Sequence, residues 1–216
     1  MFRVLVGLIG AAGVAAAVAI LLGGGTLYWM SVALVDDQGF LNSEPGEIHV
    51  DAHALVTGAA QIDISEEFPL RLGELATFRI QAKSLGPSEE IFIGVAPPEE
   101  IDRYLAASDV AELIGVTFDP LAIEVEIAAG QTAPRRPVQE TFWHAAATGE
   151  GLQALSWDLT SGTYAVAVMN ADASSGIHAE LVVGGRVPVA QPTGVAMLIG
   201  GSVLLSLASI LLAIAF

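Results

Sequence analysis

Two uncharged apolar stretches bracket this chain, and every acidic residue lies between them. The first runs from Val4 to about Trp29 and the second from Gly194 to Phe216. Each exceeds the ~20 apolar residues that cross a hydrocarbon core ~30 Å thick. A backbone in hydrocarbon finds no water to bond to, so each stretch is expected to be a helix that satisfies its own amides. The chain therefore reads as a membrane hairpin: residues 1–35 form an N-terminal transmembrane helix and its exit, residues 36–193 an acidic domain, and residues 194–216 a C-terminal transmembrane helix.

The side of the membrane follows from charge. Arg3 and the α-amino group are the only positive charges before the first span. The positive-inside rule puts that end in the cytoplasm and the central domain outside, at the cell (inner) membrane facing the periplasm or exterior. A cleaved signal peptide is the rival reading of residues 1–25. The apolar run is longer than the 7–15 residues of a signal h-region, and it continues through Gly23–Gly25 to Tyr28 and Trp29, an interfacial aromatic pair. An uncleaved span is the expectation. The glycine triplet is expected to weaken or kink its helix.

Small residues line both spans. Gly7, Gly10 and Gly13 recur at three-residue spacing, and Ala196 with Gly200 and Ser202 with Ser206 form small-xxx-small pairs. Such faces let helix backbones approach closely in lipid. They serve either the packing of the two spans on each other or a partner membrane protein.

The central region carries 24 acidic residues against seven basic ones, a formal charge of −17. That field repels nucleic acid, so no nucleic-acid partner is expected. The absence of cysteine excludes disulfides, thiolate metal ligands and cysteine nucleophiles.

Alternating and β-branched patterns dominate the domain. Strands are predicted at 47–56, 61–64, 76–82, 91–96, 121–127, 141–148, 153–157, 163–170 and 177–183, punctuated by glycine and proline. In Thr163–Asn170 both faces are apolar, which predicts a central strand covered on both sides. Pro97-Pro98-Glu99-Glu100 opens one short helix with the stripe Ile101, Tyr104, Leu105, and Ser108–Ile114 adds a further turn to that prediction. The fold class is mainly β: an extracytoplasmic β-sandwich, jelly-roll or Ig-like, with one short helix and a transmembrane helix on each side. Its short tethers, Asp36–Gly46 and Gly185–Thr193, hold it close to the membrane surface.

Ile91–Leu105 (IFIGVAPPEEIDRYL), Phe142-Trp143, Gly149–Gly151, Trp157 and Gly162–Asp172 resemble a group of uncharacterised membrane-anchored proteins of high-GC bacteria with two spans around a β-rich outer domain. The resemblance implies the same layout and transfers no activity.

Candidate chemistry is sparse. His49, Asp51 and His53 alternate along one predicted strand and would project from one face, a spacing that suits two imidazoles and a carboxylate around a metal ion. Asp36–Gly39 and Asn170–Asp172 offer oxygen atoms without an EF-hand spacing. Trp143 and Trp157, on neighbouring predicted strands, form either an aromatic platform for a ligand or part of the core. The adjacent acids Glu66-Glu67, Glu89-Glu90 and Glu99-Glu100 point apart and make no glycosidase pair. No nucleophile elbow, P-loop or dinucleotide fingerprint occurs, and no cofactor is expected. The expected function is that of a non-enzymatic accessory or structural membrane protein whose partners are the lipid bilayer and another integral membrane protein or complex. The alternative is an envelope binding or sensing module that captures a carbohydrate, peptide or cation.

Overall fold

The computed structural model describes residues 2–62, 76–118 and 121–215. It separates into two compact units, Met1–Gly39 with Val187–Phe216, and Phe40–Arg186. Among the described residues the α-helices are α1 (Phe2–Ala33), α2 (Pro98–Leu105) and α3 (Ala190–Ala215).

In the first unit, α1 and α3 are each long and apolar enough to cross a membrane, with mean hydropathy of 2.6 and 2.4. Only 11% of either apolar window is buried, which distinguishes both from the core helices of a water-soluble domain. Helix α3 begins four residues before the apolar run. Pro192 sits in its first turn, where a missing N–H costs no intrahelical bond. Helix α1 runs unbroken through Gly23–Gly25, so the expected weak point stays helical.

Packing explains why. The two helices are antiparallel: Gly7 faces Ala215, Gly10 faces Leu212, Gly13 faces Ala208, Gly24 faces Met197 and Gly201 faces Leu21. Gly10, Ala17 and Gly24 are buried on α1, and Gly194, Gly201 and Ala208 on α3, both at intervals of seven. A seven-residue repeat is the seam of a left-handed helix pair, and glycine and alanine at the seam bring the backbones close. The pairs Ala196/Gly200 and Ser202/Ser206 lie off this seam, all four exposed, and a Cβ on Gly200 would point into open space. At 3.6 residues per turn they fall on other faces of α3 than the 194/201/208 stripe. The Ser202 and Ser206 hydroxyls donate to the carbonyls of Leu198 and Ser202, at 2.7 and 2.9 Å, which keeps them from exposing unpaired donors.

The second unit is a two-sheet sandwich. Its strands are β1 (Leu41–Asn42), β2 (Gly46–Val50), β3 (Ala54–Thr57), β4 (Ala60–Ile62), β5 (Thr77–Ser84) and β6 (Glu90–Ala96). They continue as β7 (Val110–Phe118), β8 (Leu121–Ala128), β9 (Ala145–Glu150), β10 (Leu152–Asp158), β11 (Gly162–Asn170) and β12 (Ile177–Arg186). The first sheet runs β1-β12-β5-β10, with β2 also on β12; the second runs β8-β7-β3-β11-β6-β9, with β4 also on β11. All pairs are antiparallel except β3 with β7.

Strand β11 is covered on both faces, as its sequence predicts. Tyr164, Val166 and Val168 face the core between the sheets, and Ala165, Ala167 and Met169 join a second core under α2. The predicted strand 47–56 is two strands instead. Asp51–His53 bend, carrying the chain from β12 in the first sheet to β11 and β7 in the second. The bend is held by Gly176 N–H donating to Ala52 O and His53 N–H donating to Asp109 O. The turn predicted at Ser108–Ile114 is mostly strand β7, because α2 closes at Ser108 N–H to Leu105 O and the next residues pair with β3. The predicted strand 61–64 keeps β4 only to Ile62; its remainder and Glu66-Glu67 lie outside the described residues.

One pole of the sandwich gathers the domain's two chain ends. Thr77, the first residue of β5, is in register with Asp158 and with Arg186, the last residues of β10 and β12. Strand β1 pairs beside them at Gly184 and Gly185. The Arg79 and Arg186 guanidiniums lie 3.9 and 5.0 Å from the Phe40 ring centroid, and Arg79 donates to Asn42 Oδ1 at 2.7 Å. These contacts tie the first and last residues of the domain together.

The helix seam yields a paired expectation. A Cβ on Gly24 would stand 2.7 Å from Met197 Cβ and 3.1 Å from Gly194 O. Gly24→Leu should therefore destabilise the helical unit by about 1–3 kcal/mol or more through overpacking. Gly200→Leu should leave it intact or stabilise it by up to about 1 kcal/mol, since leucine is the better helix former and meets open space. Thermal unfolding of the full chain in mild detergent, followed by far-UV circular dichroism, measures both.

Candidate functional site

The core between the sheets is filled unevenly. At the pole away from the chain ends, Ile91, Ile93 and Ile177 are fully buried and Ile48 and Val50 nearly so. Toward the chain-end pole the inward side chains are Phe78, Trp157, Tyr164, Val166 and Val183, all only half-buried. Between them lies a partly open cavity of about 350 Å³, with Leu55, Val168 and Leu181 at its inner part.

Among the described residues the wall holds no charged one. Its hydroxyls are engaged: Thr57 Oγ1 accepts the Val166 N–H at 2.9 Å, and Tyr164 donates to Ser161 O at 3.2 Å. Trp157 and Tyr164 meet edge to face at 4.4 Å and form one side of the cavity. Protein interiors tolerate few voids larger than a water molecule. A sealed void of this volume would cost ~8 kcal/mol at ~24 cal/mol per Å³, the order of a whole domain's stability. Apolar walls without spare hydrogen-bonding groups hold water poorly and apolar molecules well.

The residues singled out from the sequence are dispersed. His49 lies on the solvent face of the first sheet, directly across from His178 on β12, with ring centroids 5.3 Å apart. His178 Nε2 contacts Glu47 Oε1 at 2.6 Å. His53 is past the bend, its Nδ1 3.5 Å from Asp109 Oδ2. Asp51 is exposed in the bend itself. The expected common face of His49, Asp51 and His53 is lost because the chain changes sheets between them. Among the described residues no three His, Asp or Glu side chains converge on a point that would hold an ion.

The oxygen-rich turns bond their own chain. Asp36 accepts from the Gln38 N–H at 2.9 Å. Asp172 accepts from both the backbone and the hydroxyl of Ser174, and these bonds hold its pKa below the ordinary carboxylate value.

Trp143 and Trp157 form no platform. Trp157 faces the cavity from the first sheet. Trp143 precedes β9 on the opposite face of the second sheet, where it packs on Phe92, Phe142 and Tyr104. Its indole N–H donates to Pro137 O at 2.9 Å, and its ring covers Gly94, where a Cβ would stand 2.5 Å away. Beside it, the Tyr104 hydroxyl donates to Arg135 O. Burial raises the Tyr104 pKa well above the phenol range, Glu140 adds to the rise, and Arg135 opposes it. The cavity itself escaped sequence reasoning: a core position that packs and one that lines a void carry the same residue types. The only available signal was the loose aromatic trio Phe78, Trp157 and Tyr164.

No family model matches the sequence, and no curated protein matches it. Among solved structures, the structure of black queen cell virus is similar at 10% identity and a TM-score of 0.25, over 52% of this chain and 47% of that one. The match spans about half of that chain's length and carries no argument about fold or function.

Two outcomes follow from the aromatic cluster under α2. Trp143→Ala should cost about 3–5 kcal/mol, read from chemical denaturation, because it empties a packed site and not an open face. The folded pKa of Tyr104 lies above its unfolded value, so its contribution is complete below pH ~10 and is lost as pH rises through the folded value. Tyr104→Phe should flatten this alkaline decline, measured as unfolding free energy against pH.

Proposed function

We propose that this chain is a non-enzymatic accessory or structural membrane protein, anchored by α1 and α3 and bearing its acidic sandwich outside the cell membrane. One observation carries the reading. The two spans satisfy each other through the stripes Gly10/Ala17/Gly24 and Gly194/Gly201/Ala208, yet Ala196, Gly200, Ser202 and Ser206 stay on the exposed faces of α3. Small residues in lipid-facing positions favour close approach of another helix. An anchor that needed only lipid would be served equally by leucine.

Two further features support it. The tethers are short: only Val187–Val189 separate β12 from α3. The −17 domain charge favours a basic surface on the partner.

The test is purification of the tagged full chain in mild detergent, with mass spectrometry and stoichiometry of what stays bound. A stoichiometric integral membrane partner is expected from the parent protein. It should be lost from Gly200→Leu and Ser206→Leu, whose own helix pair is intact by thermal unfolding. A strictly monomeric parent with nothing bound overturns the reading.

A further inference from the structure

We propose that the cavity between the two sheets is a binding site for a single acyl chain. Three observations lead there. Among the described residues the wall is mainly apolar and uncharged, and the Thr57 and Tyr164 hydroxyls already have backbone partners, so the part of a ligand that enters it is apolar. Paired sheets stand ~10 Å apart, which leaves a slot one side-chain layer thick; Tyr164 to Val168 line it along ~13 Å of β11. At the ~30 Å³ that a water-sized group occupies in a liquid, about 350 Å³ holds roughly a dozen methylenes. A slot one side-chain layer thick suits an extended chain more than a bulky ring system.

The third observation is position. The cavity occupies the half of the core nearest the pole where β5 begins and β10 and β12 end. The opposite half of the same core is closed by isoleucine and valine, whereas among the described residues this end stays partly open. Phe78, Trp157 and Tyr164, half-buried without an occupant, become its cover. The proposal rests on the membrane reading only for the source of the chain. The same chemistry is offered by a membrane phospholipid and by a free fatty acid.

The experiment uses Trp157 as the reporter. Trp29→Phe and Trp143→Phe are introduced together so that Trp157 is the sole indole of the full chain, and the purified protein is reconstituted in phosphatidylcholine vesicles. Bromine on an acyl chain quenches indole emission on contact. In one arm the phospholipid chains are brominated; in the other, brominated dodecanoic acid is added to unbrominated vesicles. Most of the Trp157 emission should be lost in at least one arm. Loss in the first identifies lipid as the source, and loss in the second identifies the free acid.

Val166→Phe and Val168→Phe fill the slot. They should restore the emission, with a melting temperature at or above the parent's to show that the domain is folded. Emission that ignores both probes overturns the proposal. So does quenching that persists in folded, filled variants, since it would report proximity to the bilayer alone. Stronger quenching by bromonaphthalene than by either brominated chain overturns the acyl assignment. Because the protein is tested alone, loss or retention of a membrane partner does not alter this result.

Discussion

Two long apolar helices at opposite ends of this chain pack on each other, and that return constrains everything between them. Helices α1 and α3 meet through glycine and alanine at seven-residue intervals, so their axes lie close. The segment between them must then start and finish at neighbouring points. The domain meets this demand with its own register: Thr77 stands beside both Asp158 and Arg186, β1 pairs beside β12, and Phe40 is held by the guanidiniums of Arg79 and Arg186. Side-chain contacts at the pole thus do for the domain what the glycine seam does for the helices.

The same pole explains the uneven core. A sandwich is tightest where strands are long and paired on both sides, and the pole away from the chain ends has that character, with Ile91, Ile93 and Ile177 sealed. At the other end, fewer of the described residues cover each inward side chain. Large aromatics there lean across the gap and do not interlock. The result is an apolar space lined by Phe78, Trp157 and Tyr164, with a second, well-packed core on the other face of the same sheet under α2. Two aromatic groups of similar composition therefore have different physical roles. Trp143 is fixed by a hydrogen bond to Pro137 O and by contact over Gly94, whereas Trp157 faces open volume.

Much of the fold was legible from residue order alone. Period-two alternation identified β5, β6, β8, β10, β11 and β12 within a few residues, because each has a buried face that tolerates only apolar side chains. The apolar character of both faces of β11 correctly signalled a central strand. The candidate site was not legible. His49, Asp51 and His53 alternate as if on one strand, but the Asp51–His53 bend sends them to different sheets. No local pattern marks that bend: Asp-Ala-His is not a turn signature, and the bend is held by Gly176 and Asp109 from distant segments. In the same way, Trp143 and Trp157 occupy similar apolar contexts in sequence, and only the pairing of their strands separates them.

What the sequence determined by itself was set by solvent: two charge-free runs longer than a bilayer core must be helices, and an acidic, cysteine-free, alternating segment between them must fold as water-exposed sheet around its own core. What the tertiary structure decided was which small residues form the helix seam and which stay exposed, where the chain changes sheets, and which described core residues pack tightly and which line a cavity. These outcomes depend on contacts between residues far apart in the chain. A glycine facing Met197 and a glycine facing nothing are the same letter, and only packing tells them apart.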